Sequence, residues 1–127
     1  MDVFDSRMKK LFDEVDTYIE DMYGTLYPLH PARPPRGQTP NPQASGLFNI
    51  GADFTMGYGS ELGRGYLIDV TMSTLENVPA EVRREIYYKT AKKVQELLPK
   101  HFPERKLEVR KDGNHFKIQG DLSLGDM

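Results

Sequence analysis

Three aspartates, Asp53, Asp69 and Asp121, fall in strand-like stretches that would turn their side chains to one face of a sheet. Clustered carboxylates repel unless water screens them, one keeps a proton, or a cation neutralises them. An oxygen-rich set of this kind suits Mg²⁺ or Ca²⁺. No EF-hand-like loop is present, so the alternative is solvated acids paired with Lys117 or Arg110. The second chemical candidate is the stretch "GYGSELGRG", with four glycines in nine positions. Within it, Gly59, Ser60, Glu61, Gly63 and Arg64 make a candidate anion site. Successive backbone N–H groups can converge on an anion, and the Arg64 guanidinium could clamp a phosphate or carboxylate. The stretch has no G-K-[ST] and joins two strands, whereas phosphate-binding loops open helices. Its alternative is a hairpin tip in which Glu61 pairs with Arg64.

Other chemistries find little support. The chain has no cysteine, which excludes disulfides, zinc-thiolate sites and thiol catalysis and fits a reducing compartment. His30, His101 and His115 share no zinc-like or triad-like spacing, and no serine sits in G-x-S-x-G. No cofactor is expected beyond the divalent ion considered above. No apolar run is long enough to span a bilayer, and the N-terminus lacks a signal peptide's basic and apolar regions. A cytoplasmic protein with no membrane partner is the expectation. A sequence pI near 5.9 argues against nucleic acid, whose phosphates want a basic footprint. Charge is unevenly spread, however. Residues 1–23 hold seven acids and three bases, whereas residues 79–111 hold ten bases and five acids. Either these are solvated faces, or the acidic segment docks on the basic one, in the same chain or a neighbour.

The elements that must carry these residues are legible from periodicity. Residues 2–24 read as a helix whose apolar positions Phe4, Met8, Leu11, Val15, Tyr18 and Met22 follow heptad spacing, widened by Phe12 and Ile19. Such a stripe must be buried, against its own domain or a second protomer. Residues 28–46 hold six of the nine prolines and read as an extended linker. Residues 47–57 and 64–74 alternate with period two, as strands do. A helix is expected over about 78–99, capped by Asn77 with Pro79 in its first turn. "KLEVRKDGNHFKIQGDL" reads as a hairpin turning at Asp112-Gly113, with Val109 facing Phe116 and Glu108 facing Lys117.

These elements give an α+β chain: an N-terminal amphipathic helix (1–27), a Pro-rich linker (28–46), and a two-layer ββαββ domain (47–127) with a mixed four-stranded sheet. "FNIGADFTMG" (48–57) and "FKIQGDLSLG" (116–125) share four of ten residues. Strand order 2-1-4-3 would place these first and last strands side by side and parallel, with Asp53 and Asp121 adjacent. Order 1-2-3-4, or two independent strands of like design, are the alternatives. The function expected is a small non-enzymatic module that binds a protein partner or itself as a homo-oligomer, a dimer being favoured. Its contact surface would be Phe4, Met8, Leu11, Phe12, Val15, Tyr18, Ile19 and Met22. The alternative is a domain binding a small molecule, an anion or a divalent metal through the polar sheet face and the Gly-rich loop, with an enzymatic role left open.

Overall fold

The computed structural model describes residues 3–59 and 62–120. Two helices, α1 (Val3–Tyr23) and α2 (Ala80–His101), lie on one face of a sheet built from β1 (Phe48–Thr55), β2 (Gly65–Met72), β3 (Leu107–Asp112) and β4 (His115–Gly120). The alternation in the strands decides which face is covered. Phe48, Ile50, Ile68, Met72, Leu107 and Ile118 point to the helices and are buried. α2 supplies Ile86, Ala91, Val94, Leu97 and Leu98 to the same core. It starts after Pro79 with no side-chain cap, so Asn77 does not fill that role, and it continues through Pro99 to His101.

The heptad stripe of α1 closes this core within the chain. Phe4, Met8, Leu11, Phe12, Val15 and Ile19 are all buried there, Tyr18 is partly buried, and Met22 is exposed. The acidic helix therefore docks on the basic one in the same chain. Glu14 accepts from Lys100 at 3.0 Å and contacts His101 at 3.1 Å, and Arg7 pairs with Glu104. The Lys100 bond holds the Glu14 carboxyl below the usual carboxylate range.

The Pro-rich stretch is a strap stitched to the body rather than a free tether. The His30 N–H donates to the Ser73 carbonyl at 2.8 Å, and Gly46 N–H to the Pro34 carbonyl at 2.9 Å. The Arg33 side chain donates to the carbonyls of Ser45, Gly46 and Phe48. The strap delivers residues 46–48 to Glu20 of α1, whose buried carboxylate accepts from the N–H groups of Leu47 at 3.2 Å and Phe48 at 2.8 Å. A side chain at Gly46, where φ is +79°, would collide with that carboxylate.

The sheet is wholly antiparallel in the order β1-β2-β4-β3, not mixed in the order 2-1-4-3. The physical reason lies at the β1 edge. The Phe48 N–H and C=O that face away from β2 are taken by Glu20 and Arg33, so no strand can enter beside that end of β1. β4 instead pairs with the other side of β2. The two similar phrases thus flank one strand without touching, and in different registers: Phe54 and Ile118 both oppose Tyr66. Their likeness reflects a shared alternation of apolar and polar positions; residues 121–125 of the second lie outside the described residues. In the last hairpin Val109 opposes Ile118, two positions from the expected register. The central turn residues are Gly113 and Asn114, with φ +64° at Gly113 and no positive φ at Asn114. That is the type II′ arrangement, in which glycine takes the first central position. A slip of two keeps every side chain on its expected face.

Beside the Glu20 clasp, burial and the Glu20 charge push the Asp16 carboxyl up to about 7, and its Oδ2 has no hydrogen-bond partner. A raised acid favours the fold while protonated, so this contribution is complete below the unfolded value near 4 and is lost as pH rises through about 7. Asp16→Asn is expected to raise unfolding free energy at pH 8 by up to about 3 kcal/mol and to flatten the fall between pH 4 and 7. Urea denaturation of both proteins across that range checks it; parallel pH profiles would show Asp16 to be unstrained.

Candidate functional site

β1 and β2 carry Asp53 and Asp69 on the face away from the helices, in register with Leu67 and Gly51 respectively. The two are therefore diagonal neighbours, both exposed. They line one cavity of about 400 Å³ at the β1 edge, together with Asn49, Asp5 and Lys9. Gly51 leaves room there because it has no side chain to set against Asp69. Asp121 lies outside the described residues. Among the described residues no group of three metal-ligating side chains comes together. Asp53 and Asp69 give the cavity a polar rim, and Lys9 beside them is paired with Asp13 at 3.0 Å.

The Gly-rich loop has a different arrangement from an anion nest. Ser60 and Glu61 lie outside the described residues. Gly59 is exposed at φ +84°, and Gly63 takes φ +77°. The carbonyls of Leu62, Gly63 and Arg64 turn inward. Gln119 Nε2 donates to Leu62 at 2.6 Å and to Arg64 at 3.0 Å, and Lys117 Nζ donates to Gly63 at 2.6 Å. Gly57 approaches Gly63 so closely that a side chain at residue 57 would strike the Gly63 carbonyl. The loop is thus folded over the outer face of β4, which is closed to water while the β1–β2 part of that face stays open.

Lys117 is the centre of this cover. Its side chain is 1% exposed and pairs with Asp112 at 2.7 Å. A buried ammonium must find acceptors, and it finds a carboxylate and a backbone carbonyl. The expected partner was Glu108, but the two-residue register difference puts Arg110 across from Lys117 and Gln119 across from Glu108. Sequence patterning missed this lysine because it reads as one more solvent-facing charge. The only signal was its place opposite a glycine-rich loop that needs to be tied down.

Another surface feature is apolar. At the hairpin end of β1, Phe54 is 50%, Met56 51% and Tyr58 91% exposed. Phe54 packs edge-on to Tyr66 at 5.4 Å, and Tyr66 reaches Phe4 at 5.7 Å, which brings the exposed Val3 to the same end. The residues of the expected helical contact surface are, by contrast, mostly interior.

An α+β chain with two helices over an antiparallel sheet is the class defined here. A family model described as "Uncharacterised protein" matches residues 1–120, and the chain belongs to that family. A protein of Borreliella burgdorferi, described as "Uncharacterized protein", is 40% identical over 107 residues, covering 84% of each chain. No solved structure matches this chain. Neither description names a role, so the function must be argued from the surface. Among the described residues no helix is long and apolar enough to cross a membrane.

Lys117→Met is expected to release the loop and leave the Gly63 carbonyl without its donor, at a cost of about 2–4 kcal/mol. Thermal unfolding gives the stability, and amide exchange at Leu62–Arg64 should quicken. Unchanged exchange there would show that the lysine does not hold the loop.

Proposed function

We propose that the chain is a non-enzymatic interaction module whose partner is a second copy of itself, joined through the open end of β1. The observation that carries this reading is the run of exposed large side chains, Phe54, Met56 and Tyr58, beside a strand edge with no neighbouring strand among the described residues. Exposed apolar clusters and unpaired edges are each associated with association, and here they coincide.

The edge is usable only in part. Its Phe48 end is closed by Glu20 and Arg33, and Ile50 is fully buried. From Ala52 onward it is accessible. A two-fold axis through Phe54 would pair Phe54 with its mate, Ala52 with Met56, and Asp53 with Thr55. No like charges then face each other, and aromatic meets aromatic at the centre. A register centred on Asp53 would set two carboxylates opposite and is disfavoured. The helical stripe plays no part in this contact, because it fills the chain's own core.

The test is molar mass by light scattering over a range of concentrations. The wild type should move from monomer to dimer as concentration rises. Phe54→Lys should stay monomeric at every concentration and remain folded, with a thermal midpoint lowered by a few degrees as the edge-on contact with Tyr66 is lost. A wild type that remains monomeric throughout, or a Phe54→Lys variant that still dimerises, overturns the reading.

A further inference from the structure

Among the described residues, β2 and β4 pair directly at only two positions, Tyr66–Ile118 and Leu67–Lys117. The next pair in that register would be Ile68 and Phe116. Instead the Tyr87 hydroxyl stands between them. It donates to the Ile68 carbonyl at 2.7 Å and accepts from the Phe116 N–H at 2.9 Å. Beyond this wedge β2 runs on through Val70 to Met72, while β4 ends at His115 in the hairpin turn. The sheet therefore has a gap between its two inner strands.

The backbone along this gap is unmatched. Ser73 N–H pairs with the Leu47 carbonyl on the β1 side, so odd-numbered residues of this strand face β1 and even-numbered ones face the gap. Val70 thus turns its N–H and C=O into the gap, and neither has a partner among the described residues. A half-buried strand with an unmatched donor and acceptor is a template for another strand.

The gap is also a cavity of about 240 Å³. Ile68, Val70, Met72 and Ile86 give it apolar walls, and Arg83 and Arg84 of α2 stand at its rim with Asn114 and His115. Both arginines are exposed, and neither has an ion pair among the described residues. Asp69 lies on the opposite wall, on the sheet face away from α2.

We propose that this gap binds an extended peptide strand carrying an acidic side chain, paired to β2 at Val70 and clamped by Arg83 and Arg84. A small free anion would engage the arginines and leave the Val70 groups unmatched. A neutral strand would do the reverse. A peptide with an acid on the helix side satisfies both, because guanidinium groups grip carboxylates by paired hydrogen bonds. Alternation in the bound strand also makes the site selective by position. Moving the acid by one residue turns it from the arginines to Asp69, where like charges repel.

The probe is a doubly blocked hexapeptide library with one fixed glutamate, read by fluorescence polarisation on the full chain. The best member should bind. Its glutamine counterpart, its copy with the acid moved one residue, and its copy with alternate N-methylated amides should each bind at least about tenfold more weakly. The Arg83→Gln/Arg84→Gln double variant should remove the difference between the glutamate and glutamine peptides, and its unchanged thermal midpoint would show the fold intact. Amide exchange at Val70 should slow when peptide is bound. No binder in the library, or equal binding of the N-methylated copy, overturns strand addition. Equal binding of the glutamine counterpart overturns the clamp. Binding of benzoate alone, without any peptide, would make this a small-anion site and overturn the proposal.

Discussion

The Glu20 carboxylate ties the first helix to the first strand, and several features of the molecule depend on that tie. It sits on the buried face of α1 and accepts two backbone N–H groups at the start of β1. A carboxylate removed from water needs such donors, and bonds to a charged acceptor are stronger than neutral ones. Three features depend on it. The strap must turn at Gly46, because any side chain there would occupy the carboxylate's place. Asp16, one helical turn earlier, cannot ionise easily because it is buried and lies beside this second negative charge. The outer edge of β1 is sealed at Phe48, with Arg33 closing the carbonyl.

That seal has a long-range consequence for topology. With the Phe48 end of β1 closed, the second hairpin pairs along the free side of β2. The connection through α2 places β3 at the far edge, and β4 fills the position between β2 and β3. The sheet is then antiparallel throughout even though β2 and β3 run in the same direction. A carboxylate in the first helix thus blocks one end of the edge that the strands at Leu107–Asp112 and His115–Gly120 leave unused. The conformational cost of ordering the proline-rich strap is offset by these contacts, and proline lowers that cost by restricting the unfolded strap as well.

Periodicity revealed the elements and their buried faces because burial is a property of each segment taken alone. Most of the α1 stripe, the first half of the β1 face, and the apolar positions of β2 and α2 met the core, whereas Met22, Phe54 and Met56 lie exposed. What the spacing could not carry was the choice of neighbour. One end of β1 is closed by a side chain that looked like one more acid on an acidic helix. The turn position was ambiguous by two residues, since Asp112-Gly113 and Gly113-Asn114 both satisfy a two-residue hairpin and both keep the apolar face intact. Candidate sites were harder still. Asp53 and Asp69 line one cavity as diagonal neighbours rather than direct opposites, and the Gly-rich loop is bound down by Lys117 and Gln119. Tyr87 was legible only as part of an apolar stripe, and its hydroxyl carries the more telling contact.

That hydroxyl explains why the gap between β2 and β4 can persist. A direct ladder bond joins a carbonyl to an N–H. A group inserted between them must offer one donor and one acceptor on the same small atom, which a neutral phenol does. Burial pushes the Tyr87 hydroxyl above its ordinary pKa, so it stays protonated and keeps donating to Ile68. The ring is held edge-on to Phe116 at 5.1 Å, so the wedge cannot swing out without losing an aromatic contact as well. Phenylalanine would fill the same volume but satisfy neither strand. A tyrosine here therefore does two jobs at once: it completes the hydrogen bonding of β2 and β4 where they meet, and it keeps them apart where they diverge.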